Sequence, residues 1–379
     1  MSSIDAKSDL KARRNGLAPP KLDIETFRRR ADVVAGSGTW EHKLEIALHG
    51  PAKLTETEFF SFELYDPFFS VEEIDRFVGR TRQKELYKLL NSPYSLSLSE
   101  DKALLELLLK GANLPATRTR AVFSRAQRHG FGATLSSVAD VDQFLTSQVF
   151  PIFCKPNDGM LGIGAMTLTG YSARAVEIAG RQQVSVDRFC NYMATLTDAG
   201  FLFQDCISQD ERVTDMFGNG LATLRMLTLM DAAPKIEAAF IRSAGGEHAA
   251  DHRWQLGNTF AAIEMETGRI FNTVRHDAVG EFNPVRSNTE TDTRVEGVCL
   301  PNWEDACKLA CNAARLFPDV RVQSWDLAIS SYGPVLIEFN WGGSLSMLQR
   351  AYRKGAYSDS FASHVEACAA HPLIVHPVH

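Results

Sequence analysis

The chain has 379 residues, 45% of them hydrophobic and 23% charged, which is ordinary globular usage on a chain too long for one core. A formal net charge of −6 supplies no basic field for holding a nucleic acid or an anionic membrane. Seven cysteines (154, 190, 206, 299, 307, 311 and 368) are scattered and odd in number, which suits reduced thiols in a cytoplasm better than a disulfide framework.

The N-terminus carries early acids and no apolar core, so it does not read as a signal peptide, and no apolar run is long enough to span a bilayer. Residues 1–95 read as a mainly helical region. Its Phe59-Phe60 and Phe68-Phe69 pairs are expected to pack that region, and residues 71–90 have apolar positions at helical spacing, ended by Asn91-Ser92-Pro93. Ser97-Leu98-Ser99-Glu100 forms a capping-box pattern ahead of ALLELLLK, which predicts a helix over 99–110 closing at Gly111.

Further on, VFPIFCK (149–155), a glycine-rich stretch and AMTLTGY read as strand, loop and strand. Residues 185–199 read as a helix stopped by Gly200, and 201–207 as extended. Strands are predicted at 222–230 and 235–243, and a hairpin around Thr267-Gly268. A helix over 303–316 precedes two more strands, VQSWDLAIS and PVLIEFN. Cys307 and Cys311, one turn apart on that helix, are expected in the core.

Two constellations carry chemistry. If the last two strands form a hairpin centred near Tyr332, Asp326 lies across from Glu338. Alternation then puts Glu338 and Asn340 on one face and Val335, Ile337 and Phe339 on the other. Facing carboxylates repel, a cost that a divalent cation removes, and an Asp, Glu and Asn set suits Mg²⁺ or Mn²⁺ better than zinc. A solvated acidic face is the other arrangement these residues allow. The second constellation is Lys155 at a strand end, followed by Gly159, Gly162 and Gly164. Glycines let backbone N–H groups approach phosphates, and the lysine adds a point charge. An ordinary hairpin with a glycine-rich turn has the same residues. No P-loop occurs, and Gly162-Ile163-Gly164 lacks the third glycine and the helix of a dinucleotide fingerprint. His248 and His252 flank Asp251 at a spacing that could bring two imidazoles together, but Gly245, Gly246 and Gly257 argue for a loop there.

In this order the pieces resemble the ATP-grasp superfamily, most closely its branch associated with sugar transfer and related to glutamate ligases. The resemblance runs over residues 100–350, through Asp101-Lys102, Lys155-Pro156 with the glycine loop, Phe203 to Ile207, Thr223-Leu224-Arg225, Arg242, Asp251, Trp325-Asp326 and Ile337 to Asn340. It implies an α+β protein of the ATP-grasp fold, in which a small lobe (96–205) and a C-terminal lobe (206–379) grip ATP behind a helical N-terminal extension. Lys102 and Lys155 would contact phosphates under the Gly159–Gly164 loop. Gln204 or Asp205, with the backbone through Cys206 and Ile207, would read the adenine, and Asp210 or Glu211 would lie near the ribose. Arg225 would face the transferring phosphate and Arg242 the acceptor, while Asp326, Glu338 and Asn340 would hold Mg²⁺ or Mn²⁺.

The implied activity is a cytoplasmic ATP-dependent carboxylate–amine ligase acting through an acyl-phosphate. A kinase-type phosphotransferase and a non-catalytic nucleotide-binding protein stand as alternatives. Its partners would be a small-molecule acid and amine, without nucleic acid or membrane, and a homodimer is left open. Two departures stand out: many members have a glutamate where this chain has Gln204-Asp205, and the first hundred residues do not resemble the usual N-terminal lobe.

Overall fold

The computed structural model describes residues 4–15, 23–243, 257–278 and 281–373. His248, Asp251 and His252 lie outside them. Among the described residues no helix is long and apolar enough to cross a membrane.

Two seven-stranded sheets organise the described residues. The first contains β1 (Thr119–Phe123), β2 (Ala133–Leu135), β3 (Ile152–Pro156), β4 (Met166–Ser172), β5 (Ala175–Ile178), β6 (Val184–Ser185) and β7 (Phe201–Asp205). Their order is β2-β1-β7-β3-β4-β5-β6, antiparallel except for the β1–β2 pair. Helices Val138–Thr146 and Val186–Leu196 cover one face, burying Val141, Phe144, Phe189 and Met193 with Cys154, Phe201 and Phe203 of the sheet. Both helices start where a serine hydroxyl accepts a backbone N–H that would otherwise be unpaired: Ser137 from Asp140 and Ser185 from Arg188. The strands alternate, so Leu202 and Gln204 point to the opposite face, where Leu202 meets Val122 and Ala103.

The second sheet contains β8 (Thr223–Met230), β9 (Pro234–Ser243), β10 (Thr259–Ile263), β11 (Ile270–Ala278), β12 (Glu281–Pro284), β13 (Val322–Ser330) and β14 (Gly333–Trp341). It is antiparallel throughout, in the order β12-β11-β10-β9-β8-β13-β14. Helix Trp303–Ala314 packs on one face against Leu224, Trp325 and Phe339. Helices Arg80–Leu90, Leu345–Tyr352 and Asp359–Ala370 pack on the other against Leu227, Leu229 and Phe240. The hairpin at Thr267-Gly268 joins β10 to β11 as expected, and only glycine fits its turn. Gly268 has φ +72, and a Cβ there would lie 2.4 Å from Trp303 Cγ.

Three local expectations change. Residues 71–90 form two helices, Val71–Asp75 and Arg80–Leu90. The break falls at Gly79, whose N–H donates to the Ala52 carbonyl at 2.8 Å and where a Cβ would lie 2.2 Å from the Lys53 carbonyl oxygen. That backbone crossing outweighs the helical periodicity. The cap of helix Lys102–Gly111 is Asp101, which accepts the Leu104 N–H, and not the Ser97 box; Leu96–Glu100 is a separate helix. Cys307 and Cys311 are half-buried, not fully buried, with Cys307 packed against the core from its margin.

Helices Ile24–Ala35, Glu41–His49 and Glu56–Ser61 build a separate aromatic core from Phe27, Trp40, Phe59, Phe60, Phe69 and Phe77. Phe68 stays largely exposed, with the Arg353 guanidinium over its ring.

Candidate functional site

Asp326 opposes Glu338 across the β13–β14 ladder, by a route the pattern did not anticipate. The turn pairs Ser330 with Gly333 and Leu327 with Leu336, a register that would put Asp326 opposite Ile337. One extra residue, Ile337, forms a bulge and brings Glu338 into place. Leu336 and Phe339, an odd number of residues apart, therefore both reach the core, while Val335 and Ile337 are only half-buried.

The two carboxylates are neutralised separately. Asp326 is 2% exposed and accepts Nε and Nη2 of Arg225, each at 2.5 Å, on its two oxygens, with Arg242 Nη2 3.4 Å away. The strands dictate this arrangement, since Arg225 pairs directly with Asp326 and Arg242 lies one strand further on. Burial pushes the Asp326 carboxyl up, but Arg225 first, then Arg242 and Lys155, outweigh it and hold the group below its ordinary range. Glu338 instead meets Lys102, whose Nζ lies 3.2 Å from Oε1 and 2.5 Å from the Gly159 carbonyl oxygen it donates to. Asn340 Nδ2 is buried and has no partner.

Lys102 begins its helix beside the end of β3. The Ala103 N–H donates to Asn157 Oδ1 at 2.9 Å, which sews the helix start to the chain just after Lys155. Lys155 is 8% exposed and makes no ion pair among the described residues. Burial, and then the neighbouring Lys102 charge, push its ammonium down to about 8 against the pull of Glu338, Glu106 and Asp326. Lys102, Lys155, Glu338 and Asp326, drawn from both sheets and the helix between them, thus share one electrostatic environment.

The loop after Lys155, expected to serve as a flap, connects β3 to β4. Gly162 (φ +70) is exposed beside the exposed Met160 and Leu161, and Gly164 (φ +80) is buried against Leu196. Gly159 is buried and held by Lys102.

The residues expected to read the nucleotide base divide. Gln204 is 1% exposed, and its Nε2 lies within 3.3 Å of Glu106, Thr117 and Thr119, while Oε1 is buried without a partner. Asp205 points to the other face and pairs with Arg120 and Arg118, so it does not join Gln204. Cys206 and Ile207 follow as half-buried residues, and burial pushes the Cys206 thiol up. Asp210 caps helix Glu211–Phe217 and is occupied by Arg212, leaving Glu211 exposed at the helix start. The sequence reading missed Glu106, although it lies one turn from Lys102 on the same helix, a spacing that puts both on one face.

The donor set can be weighed against a divalent cation. Glu338 and Asn340 have oxygens available, but both Asp326 oxygens already receive guanidinium N–H groups. Among the described residues no group of three His, Cys, Asp or Glu side chains forms a metal cluster. Two of the three expected ligands fit, and the third is committed to arginine.

Comparison with solved structures gives likenesses of fold alone. The VanG D-Ala:D-Ser ligase from Enterococcus faecalis is 11% identical with TM-score 0.44, covering 79% of this chain and 66% of that one. A D-alanine–D-alanine ligase from Bacillus anthracis is 12% identical with TM-score 0.42, covering 76% and 75%. The biotin carboxylase domain of a Hydrogenobacter thermophilus 2-oxoglutarate carboxylase is 12% identical with TM-score 0.43, covering 75% of this chain and 49% of that one. The chain thus spans less than two thirds of the first and third of these proteins. No curated protein matches it. The family model for sugar-transfer-associated ATP-grasp proteins matches residues 81–366, from the helix before Asn91 into the last helix. With most of its length covered by that match, the chain belongs to the sugar-transfer-associated ATP-grasp family.

Proposed function

We propose that this protein is an ATP-dependent ligase that joins a small-molecule carboxylate to an amine. The observation that carries the reading is Lys155, a buried ammonium without an ion-pair partner among the described residues, beside the buried Lys102. Burying two neighbouring cations is costly, and a polyphosphate entering between the sheets offsets that cost.

In this reading Lys102 and Lys155 bind phosphoryl oxygens, and the loop from Gly159 to Gly164 covers them. Gln204 and the backbone through Cys206 and Ile207 receive the base, and Glu211 faces the ribose. Glu338 and Asn340 would hold Mg²⁺ or Mn²⁺, which when bound neutralises charge on the phosphoryl oxygens. The substrate carboxylate attacks the terminal phosphorus; an O–P bond forms as the bond to ADP breaks. The amine then attacks the acyl carbon: a C–N bond forms, the bond from that carbon to the bridging oxygen breaks, and phosphate leaves with that oxygen and the proton shed by the nitrogen. Arg225 and Arg242 stabilise the negative charge that develops at the acyl-phosphate by lending it N–H groups now shared with Asp326. Closure of the two lobes excludes water that would hydrolyse the acyl-phosphate.

Calorimetric titration with a non-hydrolysable ATP analogue, with and without Mg²⁺, tests the site in the wild type and in Glu338→Ala. Metal-dependent binding that weakens in the variant supports it, and absence of binding under every condition overturns it. ADP release that needs both an acid and an amine identifies the ligase. Release that needs only one acceptor would make the protein a phosphotransferase instead.

A further inference from the structure

Beside Gln204 lies a polar network that the proposed chemistry does not use. Glu106, on helix Lys102–Gly111, accepts the Thr119 N–H at 2.7 Å on one oxygen and the Thr119 hydroxyl at 2.6 Å on the other. That second oxygen also accepts Gln204 Nε2 at 3.2 Å. Gln204 Nε2 lies 3.2 Å from Thr119 Oγ1 and 3.3 Å from Thr117 Oγ1 as well.

These contacts leave the amide one orientation. A carboxylate has no hydrogen to give, so turning the amide over would set Gln204 Oε1 against a Glu106 oxygen. The Thr119 hydroxyl hydrogen is spent on Glu106, so Thr119 Oγ1 can only accept from Gln204. Two of the three neighbours therefore require the N–H₂ end. What remains is Oε1, buried and unpartnered, an acceptor without a donor. A buried acceptor selects a ligand that brings a hydrogen and penalises one that brings a lone pair.

We propose that Glu106, acting with Thr119, is a positioning residue that holds the Gln204 carbonyl toward the nucleobase, so that the cleft selects adenine, with its exocyclic amino group, over guanine, with a carbonyl at that edge. This rests on the reading of the cleft as a nucleotide site. Glu106 touches no reacting atom; it acts by denying Gln204 its other rotamer.

The test is the ratio of dissociation constants for non-hydrolysable ATP and GTP analogues, measured by calorimetry on the full chain, with thermal melts as the folding control. The wild type is expected to prefer the ATP analogue by about tenfold or more, the value of one hydrogen bond gained against one acceptor clash. In Glu106→Gln the amide at 204 can turn over, and the ratio should fall toward one through loss of ATP affinity. The double variant Glu106→Gln/Gln204→Glu reverses the donor and acceptor at the pair while restoring an acceptor at 204, so the preference should return. Thr119→Val removes one of the two restraints without a charge change, and should lower the ratio in the same direction if Glu106→Gln does not fold. A merely structural role would weaken both nucleotides alike. An unchanged ratio in a folded Glu106→Gln or Thr119→Val, or no recovery in a folded double variant, overturns the proposal. Equal wild-type affinity for the two analogues overturns this inference while leaving the nucleotide site standing, whereas no binding of either analogue removes the site itself.

Discussion

Asp326 and Glu338 face each other across one strand pair, yet each is neutralised by a different part of the chain. Asp326 draws on Arg225 and Arg242 of its own sheet, and Glu338 on Lys102 of the helix that bridges to the other sheet. The like-charge repulsion expected of such a pair is relieved by these guanidinium and ammonium groups, and Glu338 ties its sheet to the helix that carries Lys102.

Asp326 is therefore expected to be structural as well as functional. Asp326→Ala takes the shared carboxylate away from two largely buried guanidinium groups and should cost about 3–5 kcal/mol of stability. Urea unfolding of the variant measures this, and a cost below about 1 kcal/mol would contradict the ion-pair reading. The pH dependence has a definite sign. The folded-state carboxyl is held below its ordinary 3.8, so its contribution is complete above that pH and is lost as the pH falls through the lower folded value. Asp326→Asn should remove that acid limb from the stability curve.

Lys155 behaves in the opposite sense. Its ammonium is pushed down to about 8 from 10.5, so between those values the unfolded chain binds more protons than the folded one. Stability should rise with pH across that window, and Lys155→Met should flatten the rise. Affinity for a nucleotide polyphosphate should move the other way, weakening as the pH passes about 8 and the lysine loses its charge. Titrations at several pH values on wild type and Lys155→Met check both slopes.

Loss of catalysis should separate from loss of fold at Glu338. Its side chain is 27% exposed, and Lys102 keeps its bond to the Gly159 carbonyl without it. Glu338→Ala should lower ADP release by about 100-fold or more while moving stability by about 1 kcal/mol or less. A variant that no longer gives soluble folded protein would instead mark Glu338 as a structural residue.

The flap offers a backbone test. Gly164 has φ +80, and an added Cβ would lie 2.4 Å from Leu196 Cδ2. Gly164→Ala should cost about 1–3 kcal/mol through strain and clash. Gly162→Ala, at the exposed end of the loop with a similar positive φ, should cost less because the residue is not buried against a neighbour as Gly164 is. Thermal melts of the two variants rank them, and the reverse order would contradict this account of the flap.

Local pattern alone determined much of this molecule. The apolar character of FLFQDCI and VQSWDLAIS, the glycine after Thr267 and the apolar runs beside Lys155 specify strands and turns, because each depends on neighbours within a few residues. The opposition of Asp326 and Glu338 was legible too, since hairpin pairing follows from sequence distance, although the bulge at Ile337 that completes it was not. Only the tertiary structure decided the rest. Gly79 breaks a helix because a distant backbone, at Ala52 and Lys53, passes through its Cβ position. Asp326 is committed to Arg225 and Arg242 because β8 and β9 lie beside β13, an adjacency between strands about a hundred residues apart in the chain. Glu106 meets Gln204 because the helix and β7 pack together across 98 residues of sequence. Electrostatic partners are chosen by distance in space, and that distance is unknown until the sheets and helices have closed on one another.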